Sequence, residues 1–301
     1  MAEKPLQGQV ALVAGATRGA GRAIAVELAR AGAFVYATGR SSRAHGRSEI
    51  DRPETIEETG ERMAAAGGEG VALRVDHLEA EEVSALVTRI EAERGQLDIL
   101  VNDIFGGDRY AQFGTRLWEH DLAGGLRMLE MGVHTHLITA AKALPLLLQG
   151  AGGLLVEMTD GTHEVNVAYR EGVGFYYDLV KANVERILIG LTAELRDTSV
   201  TAVAVTPGWL RSEGMLDHFG VTEQNWRDAR VDGFGISETP TYVGRGIAAL
   251  AADPELPRHA GQVLTARQLA DVYGVTDVDG SRPDCWGYLA AGSPVEVADY
   301  R

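Results

Sequence analysis

The chain has 301 residues, of which 45% are hydrophobic, so it is long and apolar enough to form one large globular core. Its formal net charge of −15 argues against a nucleic-acid backbone as the main partner, since proteins that bind one carry a basic face. The single cysteine excludes an intrachain disulfide, and no apolar run reaches the roughly 18–20 residues of a membrane helix, so we expect a cytoplasmic protein that binds neither nucleic acid nor membrane.

The first predicted elements are a buried strand, a glycine loop and a helix. Residues 10–14, VALVA, are apolar and rich in β-branched side chains, which is typical of a parallel strand. In the loop and the start of the helix, glycines let backbone amides approach a pyrophosphate, and the helix N-terminus offers unpaired N–H groups to its charge. This unit therefore predicts a dinucleotide site, and its candidate residues are Gly15, Thr17, Arg18, Gly19, Ala20 and Gly21.

The second predicted strand, residues 33–38, leads to a residue that distinguishes the two nicotinamide cofactors. At this position an acidic residue binds the 2′-hydroxyl of NAD, and an arginine accommodates the 2′-phosphate of NADP. Here the residue is Arg40, with Ser41 beside it and Arg18 in the glycine loop. Because a guanidinium suits a phosphate, we predict NADP(H) as the cofactor. The alternative is that both arginines are solvated surface charges.

Strands and helices continue to alternate along the chain. Strands are predicted over 71–75, 96–101, 152–159, 200–206 and 261–264, and helices over 53–66, 126–148 (interrupted or bent near Pro145), 175–195 and 240–252. This order indicates an α/β protein, with a doubly wound, mostly parallel seven-stranded sheet (a Rossmann fold) and helices on both faces. Ligands gather at the carboxyl ends of such strands, where Asp76, His77 and Asn102 fall.

We predict one domain over residues 1–265 and a C-terminal extension over 266–301 that packs on the domain or on a partner subunit. Residues 210–240 are long for a connection, and such segments are usually lids. Between the fourth strand and the next helix, Trp118 is predicted to pack inside the protein, and Phe105 either packs or lines a pocket.

Four motifs in order resemble the short-chain dehydrogenase/reductase family over residues 6–263. The first is the loop of Gly15, Gly19 and Gly21, and the second is LDILVND at 97–103. The third is Tyr177-x-x-x-Lys181, and the fourth is Pro207-Gly208 followed by Ser212. The stretch LADVYGVTDVDG, residues 269–280, resembles one branch of the family.

The resemblance implies hydride transfer between NADP(H) and a carbonyl/alcohol pair of a small organic substrate, with Tyr177 as general acid/base. Residues four apart on a helix share a face, so we expect the ammonium of Lys181 to lower the pKa of Tyr177. The family also implies that Lys181 holds the nicotinamide ribose, that two long helices build a homodimer or homotetramer, and that the carboxamide lies against Pro207, Gly208, Trp209 and Ser212.

The position of the family's catalytic serine differs in this chain. It aligns with Thr159 or Asp160, with Thr162 as a nearby hydroxyl. An ionised Asp160 would repel an alkoxide but attract an iminium or amine, whereas a protonated one could donate a hydrogen bond; a turn with Gly161 is the structural alternative. Imine/iminium reduction is therefore an alternative activity, and a nucleotide-binding sensor or scaffold without turnover is a second alternative.

The family's helix asparagine is also missing. Its position falls in MGVHTH, so His134, Thr135 or His136 replaces it, or the water relay that it supports is absent. Histidines two apart on a helix point to different faces, so no metal site is predicted. Nothing in the sequence lowers the pKa of Cys285, which is expected to be inert.

Overall fold

The structure is a computed structural model that describes residues 4–292 and 297–301. The described residues form one seven-stranded, all-parallel sheet, which confirms the predicted fold class. Its strands are β1 Val10–Ala14, β2 Phe34–Gly39, β3 Glu69–Arg74, β4 Ile99–Asn102, β5 Gly153–Met158, β6 Val200–Thr206 and β7 Val263–Thr265. Their order is β3-β2-β1-β4-β5-β6-β7, so the winding direction reverses between β1 and β4. Ligands of open parallel sheets bind at such a reversal.

Helices cover both faces of the sheet, and no helix of the described residues is long and apolar enough to cross a membrane. They are α1 Gly19–Arg30, α2 Ile56–Ala65, α3 Ala80–Arg94, α4 Leu122–Leu129, α5 Thr135–Leu147, α6 His163–Asn166, α7 Phe175–Glu194, α8 Glu213–His218, α9 Pro240–Ala251, α10 Ala266–Tyr273 and α11 Cys285–Ala291.

Alternate residues of the strands supply two separate cores. Val13 of β1 packs with Ile24 of α1 and Ile247 of α9 on one face. Its neighbour Leu12 packs on the other face with residues of α3, α5 and α7. Successive strand side chains point to opposite faces, and both faces are covered, so all five residues of β1 are buried. This rigid sheet fixes where its carboxyl ends lie.

The predicted helix over 126–148 is not continuous. It consists of α4, a π-helical turn over Glu130–His134, and α5. A single π turn inserts an extra residue into the helix and is frequent near functional sites. A Cβ on Gly132 in this turn would overlap Val180 of α7, so the glycine permits the close helix contact. Pro145 lies in the last turns of α5 without ending it.

Two further expectations are wrong in detail. Trp118 is not packed inside: it is 76% exposed, and only the guanidinium of Arg116 lies over its ring, at 5.4 Å from the centroid. The segment between β4 and α4 is irregular, and the high exposure of the indole means that no helix or strand of the described residues covers it. The helix predicted from residue 53 starts at Ile56, because the preceding residue, Thr55, has an extended backbone. Glu54 pairs with Arg52 at 2.5 Å.

The segment after β6 and the C-terminal extension are joined by polar contacts. The indole N–H of Trp286 donates to the carbonyl of Pro207 at 2.9 Å, and the carboxylate of Asp277 accepts from the backbone N–H of Thr239 at 2.9 Å. An aromatic cluster fills the inside of the predicted lid; its members are Trp209, Phe219, Trp226 and Phe234. The domain boundaries themselves stay a prediction.

Candidate active site

A cleft of about 710 Å³ lies at the carboxyl ends of the central strands, where the winding reverses. Many of the residues predicted from the sequence line it: Gly15, Thr17, Arg18, Gly19, Ala20, Arg40, Ser41, Asp76, His77, Tyr177 and Ser212. Others do not line it in the described part of the chain: Gly21, Asn102, Thr159, Asp160, Lys181, Pro207, Gly208 and Trp209. The fold therefore brings the glycine loop, the end of β2 and the tyrosine helix α7 to one cleft.

The glycine loop is held against the residue that follows β4. Gly15 has φ +89°, and a Cβ there would overlap the carbonyl oxygen of Asp103. A Cβ on Gly21 would meet the carboxylate of Asp103 and the carbonyl of Gly15. Burial raises the pKa of Asp103 to about 6, although the charge of Lys181 and the Gly21 N–H oppose that rise. In the sequence, Asp103 stood out only as the last residue of the LDILVND motif.

The two candidate phosphate-binding arginines differ in their surroundings. Arg18 lines the cleft, is half-buried and takes part in no ion pair within the described residues. Burial lowers its pKa, so a bound anion would favour the charged form. Arg40 is instead paired with Glu49 at 2.7 Å, and Asp76 lies 3.8 Å from the same guanidinium nitrogen. Because the side chain of Arg40 is only 22% exposed, Arg40 is not a solvated surface charge.

The side chains of the neighbouring candidates Ser41 and His77 are hydrogen-bonded within the protein. The hydroxyl of Ser41 donates to Ser48 at 3.0 Å. The imidazole of His77 lies between the hydroxyls of Thr38 and Thr139, each at 2.8 Å, and burial lowers its pKa to about 3. A neutral imidazole in this position joins β2, β3 and α5 and leaves no ring nitrogen for a ligand.

A buried polar network lies beneath the cleft. The amide of Asn102 donates to Glu157 of β5 at 2.9 Å, and Glu157 also binds Nδ1 of His136. Nε2 of His136 lies 3.0 Å from the carbonyl of Ile104. Burial disfavours the charged imidazole, but the charge and hydrogen bond of Glu157, together with the Ile104 carbonyl and the charge of Asp103, raise the pKa of His136. Of the three residues considered as replacements for the missing asparagine, His136 is the one that joins this network.

Tyr177 and Lys181 lie one turn apart on α7, as their spacing predicts. The ammonium of Lys181 lies 3.8 Å from the ring centroid of Phe105 and 5.6 Å from that of Tyr177. The rings of Phe105 and Tyr177 meet edge to face at 5.8 Å. Phe105, for which the sequence left two roles, therefore lines the cleft and contacts both residues of the motif.

The expected fall in the pKa of Tyr177 is not found. Burial raises the pKa of this phenol well above its usual value, and the charges of Asp160 and Asp108 raise it further. The hydroxyl donates to Oδ2 of Asp160 at 3.3 Å, which favours the protonated phenol. The ammonium of Lys181 lies over Phe105 instead, so it does not offset these effects.

The structure separates the two candidates for the serine position. The hydroxyl of Thr159 is buried and donates to the backbone carbonyl of Lys181 at 3.2 Å, away from the phenol. Asp160 has a half-exposed carboxylate that faces Tyr177. Arg170 donates to the carbonyl of Asp160 at 2.7 Å, lies 3.6 Å from its carboxylate, and pairs more closely with Asp178 at 2.9 Å. The hydrogen-bond partner of the Tyr177 hydroxyl is therefore a carboxylate.

The segment after β6 contacts the glycine loop through a residue that sequence reasoning missed. Ser212 caps α8 by accepting from the N–H of Met215. The next residue, Glu213, accepts from the N–H of Gly19 at 2.9 Å and pairs with Arg22 at 3.1 Å. The residues expected to lie against the carboxamide, Pro207, Gly208 and Trp209, do not line the cleft, and Gly208 packs on Glu238 and Cys285. Burial raises the pKa of the Cys285 thiol to about 12.

Glu49 and Glu157 are further residues that the sequence did not single out. Each is one glutamate among many in an acidic chain, and only their partners in the fold distinguish them.

Within residues 4–292 and 297–301, no group of three or more histidine, cysteine, aspartate or glutamate side chains is arranged to hold a metal ion.

Comparisons with known proteins agree with this geometry. The family model described as enoyl-(acyl carrier protein) reductase matches residues 15–265. The chain is 31% identical to dehydrogenase/reductase SDR family member 1 of Mus musculus, over 92% of this chain and 85% of the relative, and 30% identical to the Homo sapiens protein of the same name over the same shares. A crystal structure of hydroxysteroid dehydrogenase from Escherichia coli superposes with a TM-score of 0.67 at 21% identity, covering 86% of this chain and 95% of that one.

Proposed function

Because the chain belongs to the short-chain dehydrogenase/reductase family, in the branch of the two mammalian relatives, we propose that it is an NADP-dependent oxidoreductase acting on a carbonyl/alcohol pair of a small organic substrate. The observation that carries the proposal is the position of the Tyr177 hydroxyl. It lies in the wall of the cleft that the glycine loop lines, 3.3 Å from the carboxylate of Asp160.

The cleft has the groups that a phosphorylated dinucleotide needs. The glycine loop and the N-terminus of α1 would hold the pyrophosphate once Glu213 releases the N–H of Gly19, and Arg18 offers a guanidinium without an ion-pair partner in the described chain. Arg40 and Ser41 would lie beside the adenosine ribose. When bound, NADP(H) supplies or accepts the hydride.

The protonated phenol of Tyr177 suits the direction of carbonyl reduction. Its raised pKa keeps the proton on the hydroxyl at neutral pH, so the group can donate to a carbonyl oxygen as negative charge develops there. The carboxylate of Asp160 accepts a hydrogen bond from the hydroxyl of Tyr177. Lys181 lies against Phe105 and would hold the nicotinamide ribose, as the family implies.

Substitution of Tyr177 by Phe tests the proposal. We expect turnover of a carbonyl substrate with NADPH to fall about 10²-fold or more, because the proton donor is lost, while the dissociation constant of NADPH stays unchanged. Substrates would come from a screen of ketones, aldehydes and imines that follows NADPH oxidation.

Tyr176→Phe is the matched control, since Tyr176 is buried against Gly125 and His120 and has no lysine four residues on. Equal turnover in Tyr177→Phe and the native protein would refute the acid/base role. Tight NADPH binding without turnover of any substrate in the native protein would instead favour the sensor or scaffold.

Reduction of a C=N bond is the second candidate function, and the carboxylate of Asp160 favours it. An anionic group beside the proton donor attracts an iminium or protonated imine and repels an alkoxide. Its side chain is 43% exposed, so a substrate can reach it. The two activities are distinguished by the Asp160 variant described in the Discussion.

We also propose that the protein forms a homodimer or homotetramer in the cytoplasm. The two long-helix regions expose leucine and isoleucine side chains, namely Leu126, Leu137 and Ile189. Burial of such side chains between subunits is favourable. Light scattering that gives a monomer mass would contradict the oligomer.

A further inference from the structure

Glu49 lies in the connection between β2 and α2 and has partners from three elements. Its carboxylate accepts from Arg40 at 2.7 Å, from Arg127 of α4 at 2.7 and 3.2 Å, and from the hydroxyl of Tyr110 at 2.7 Å. Hydrogen bonds from Arg127, with those from Arg40 and Tyr110, hold the pKa of Glu49 at about 2 despite burial. The side chain is thus an anion at every physiological pH, and it fastens the connection to α4 and to the segment between β4 and α4.

This anion is in direct contact with the arginine proposed to bind the 2′-phosphate. The guanidinium of Arg40 lies in the cleft, against Gly106 and 3.3 Å from the sulfur of Met131. Two carboxylates, those of Glu49 and Asp76, already face one of its nitrogens. A phosphate that approaches this guanidinium therefore meets a competing anion at hydrogen-bond distance.

The contacts of Glu49 allow an exchange of partners. If Arg40 turns to a phosphate, Glu49 keeps Arg127 and Tyr110, so its charge stays hydrogen-bonded. The exchange breaks one ion pair, and the two side chains of that pair are each 22% exposed. A nucleotide without the 2′-phosphate requires no such exchange.

We propose that Glu49 is a specificity-determining residue: its carboxylate competes with the 2′-phosphate of the nucleotide for Arg40 and so sets the preference between NADP(H) and NAD(H). The inference rests on the proposed function, because it takes Arg40 as the phosphate-binding residue. Glu49 acts through Arg40 and touches neither the hydride nor the substrate.

The test is the binding of two nucleotide fragments, 2′,5′-ADP and ADP, to the full chain by titration calorimetry. In Glu49→Gln we expect the affinity for 2′,5′-ADP to rise about fivefold, the equivalent of one such ion pair, while that for ADP changes less than twofold. The ratio of the two affinities is the readout, since loosening of the connection would change both nucleotides together.

Glu130→Gln is the matched control. Glu130 also pairs with Arg127, at 2.6 Å, but has no contact with Arg40, so the ratio should stay as in the native protein. The gain in Glu49→Gln should mostly vanish in an Arg40→Ala background. A ratio that stays unchanged or falls in Glu49→Gln overturns the inference.

Arg40→Ala alone separates this inference from the proposed function. If Arg40→Ala weakens 2′,5′-ADP but not ADP, the phosphate-binding role stands whatever Glu49→Gln does. If it weakens both equally, or neither, Arg40 does not bind the 2′-phosphate, and the NADP assignment then depends on Arg18. Thermal unfolding of each variant shows whether it is folded.

Discussion

The hydroxyl of Tyr177 has a carboxylate as its hydrogen-bond partner, where the family places a serine. A serine would share a proton with the phenol in either direction. A carboxylate accepts only, and its charge disfavours the phenolate, so it holds Tyr177 in the acid form. At the scale of single residues, the presence of Asp160 in place of a serine affects both the pH range of the proposed reaction and the charge of a suitable substrate.

Asp160→Asn should shift the pH dependence of alcohol oxidation to lower pH by about one unit or more. The oxidation needs the phenolate as base, and removal of the carboxylate charge lowers the pKa of Tyr177. The logarithm of kcat against pH gives the shift. Glu164→Gln, in the nearby exposed α6, is the control and should leave the profile unchanged.

The same variant distinguishes the two candidate activities. If Asp160 holds a cationic substrate, imine reduction falls in Asp160→Asn while ketone reduction is kept or improves. An equal effect on a ketone and an imine would argue against a cation-binding role. A pH profile that does not move, or moves to higher pH, would contradict the coupling between Asp160 and the phenol.

The glycine loop shows why some positions can be interpreted without a fold and others cannot. Gly15 has a left-handed backbone, a requirement that comes from the strand–loop–helix unit itself, and it also lies against the carbonyl of Asp103 after β4. Gly132 fits a contact between the π turn and α7, two elements distant in sequence. The sequence pattern predicted the first and said nothing of the second.

Gly15→Ala should destabilise the protein by about 2 kcal/mol or more, because its Cβ would meet both a disfavoured φ and the Asp103 carbonyl. Nucleotide binding should weaken with it. Urea unfolding measures the first effect and calorimetry the second. Gly190→Ala is the control: it lies in α7 with nothing within 4 Å of the added Cβ, and should stabilise by up to about 1 kcal/mol. Equal stability of Gly15→Ala and the native chain would contradict the packing argument.

At the scale of the whole molecule, the C-terminal extension holds the segment that follows β6. Asp277 binds Thr239 through both its backbone N–H and its hydroxyl, and lies 3.6 Å from Arg211. Glu238, which directly precedes Thr239, is buried against Gly208. Burial, helped by the charge of Asp277, raises the pKa of Glu238 to about 8. The buried carboxyl group of Glu238, which belongs to the lid, is therefore close both to Gly208 after β6 and to Asp277 of the C-terminal extension.

Glu238→Gln should remove a pH-dependent part of the stability. The pKa of Glu238 is higher in the folded chain than its ordinary 4.5, so its contribution is complete below about pH 4.5 and is lost as the pH rises through about 8. The variant should gain stability over the native chain on the order of a few kcal/mol at pH 8.5, and match it at pH 5. Urea unfolding at both pH values gives the difference.

Glu171→Gln, at an exposed position, is the control and should change neither value. A difference between Glu238→Gln and the native chain that is the same at pH 5 and pH 8.5 would show that folding does not raise the pKa of Glu238.

The sequence by itself determined the fold class, the family and the order of the motifs, because strand and helix periods, glycine patterns and the Tyr177/Lys181 spacing are local properties of the chain. It also restricted the serine position to two neighbouring residues. Only the tertiary structure decided that Asp160 and not Thr159 faces Tyr177, that Arg40 is paired with Glu49, and that the pKa of Tyr177 rises. These outcomes depend on which side chains from distant elements meet in a buried place, and burial and charge there outweigh the effect expected from a lysine one turn away.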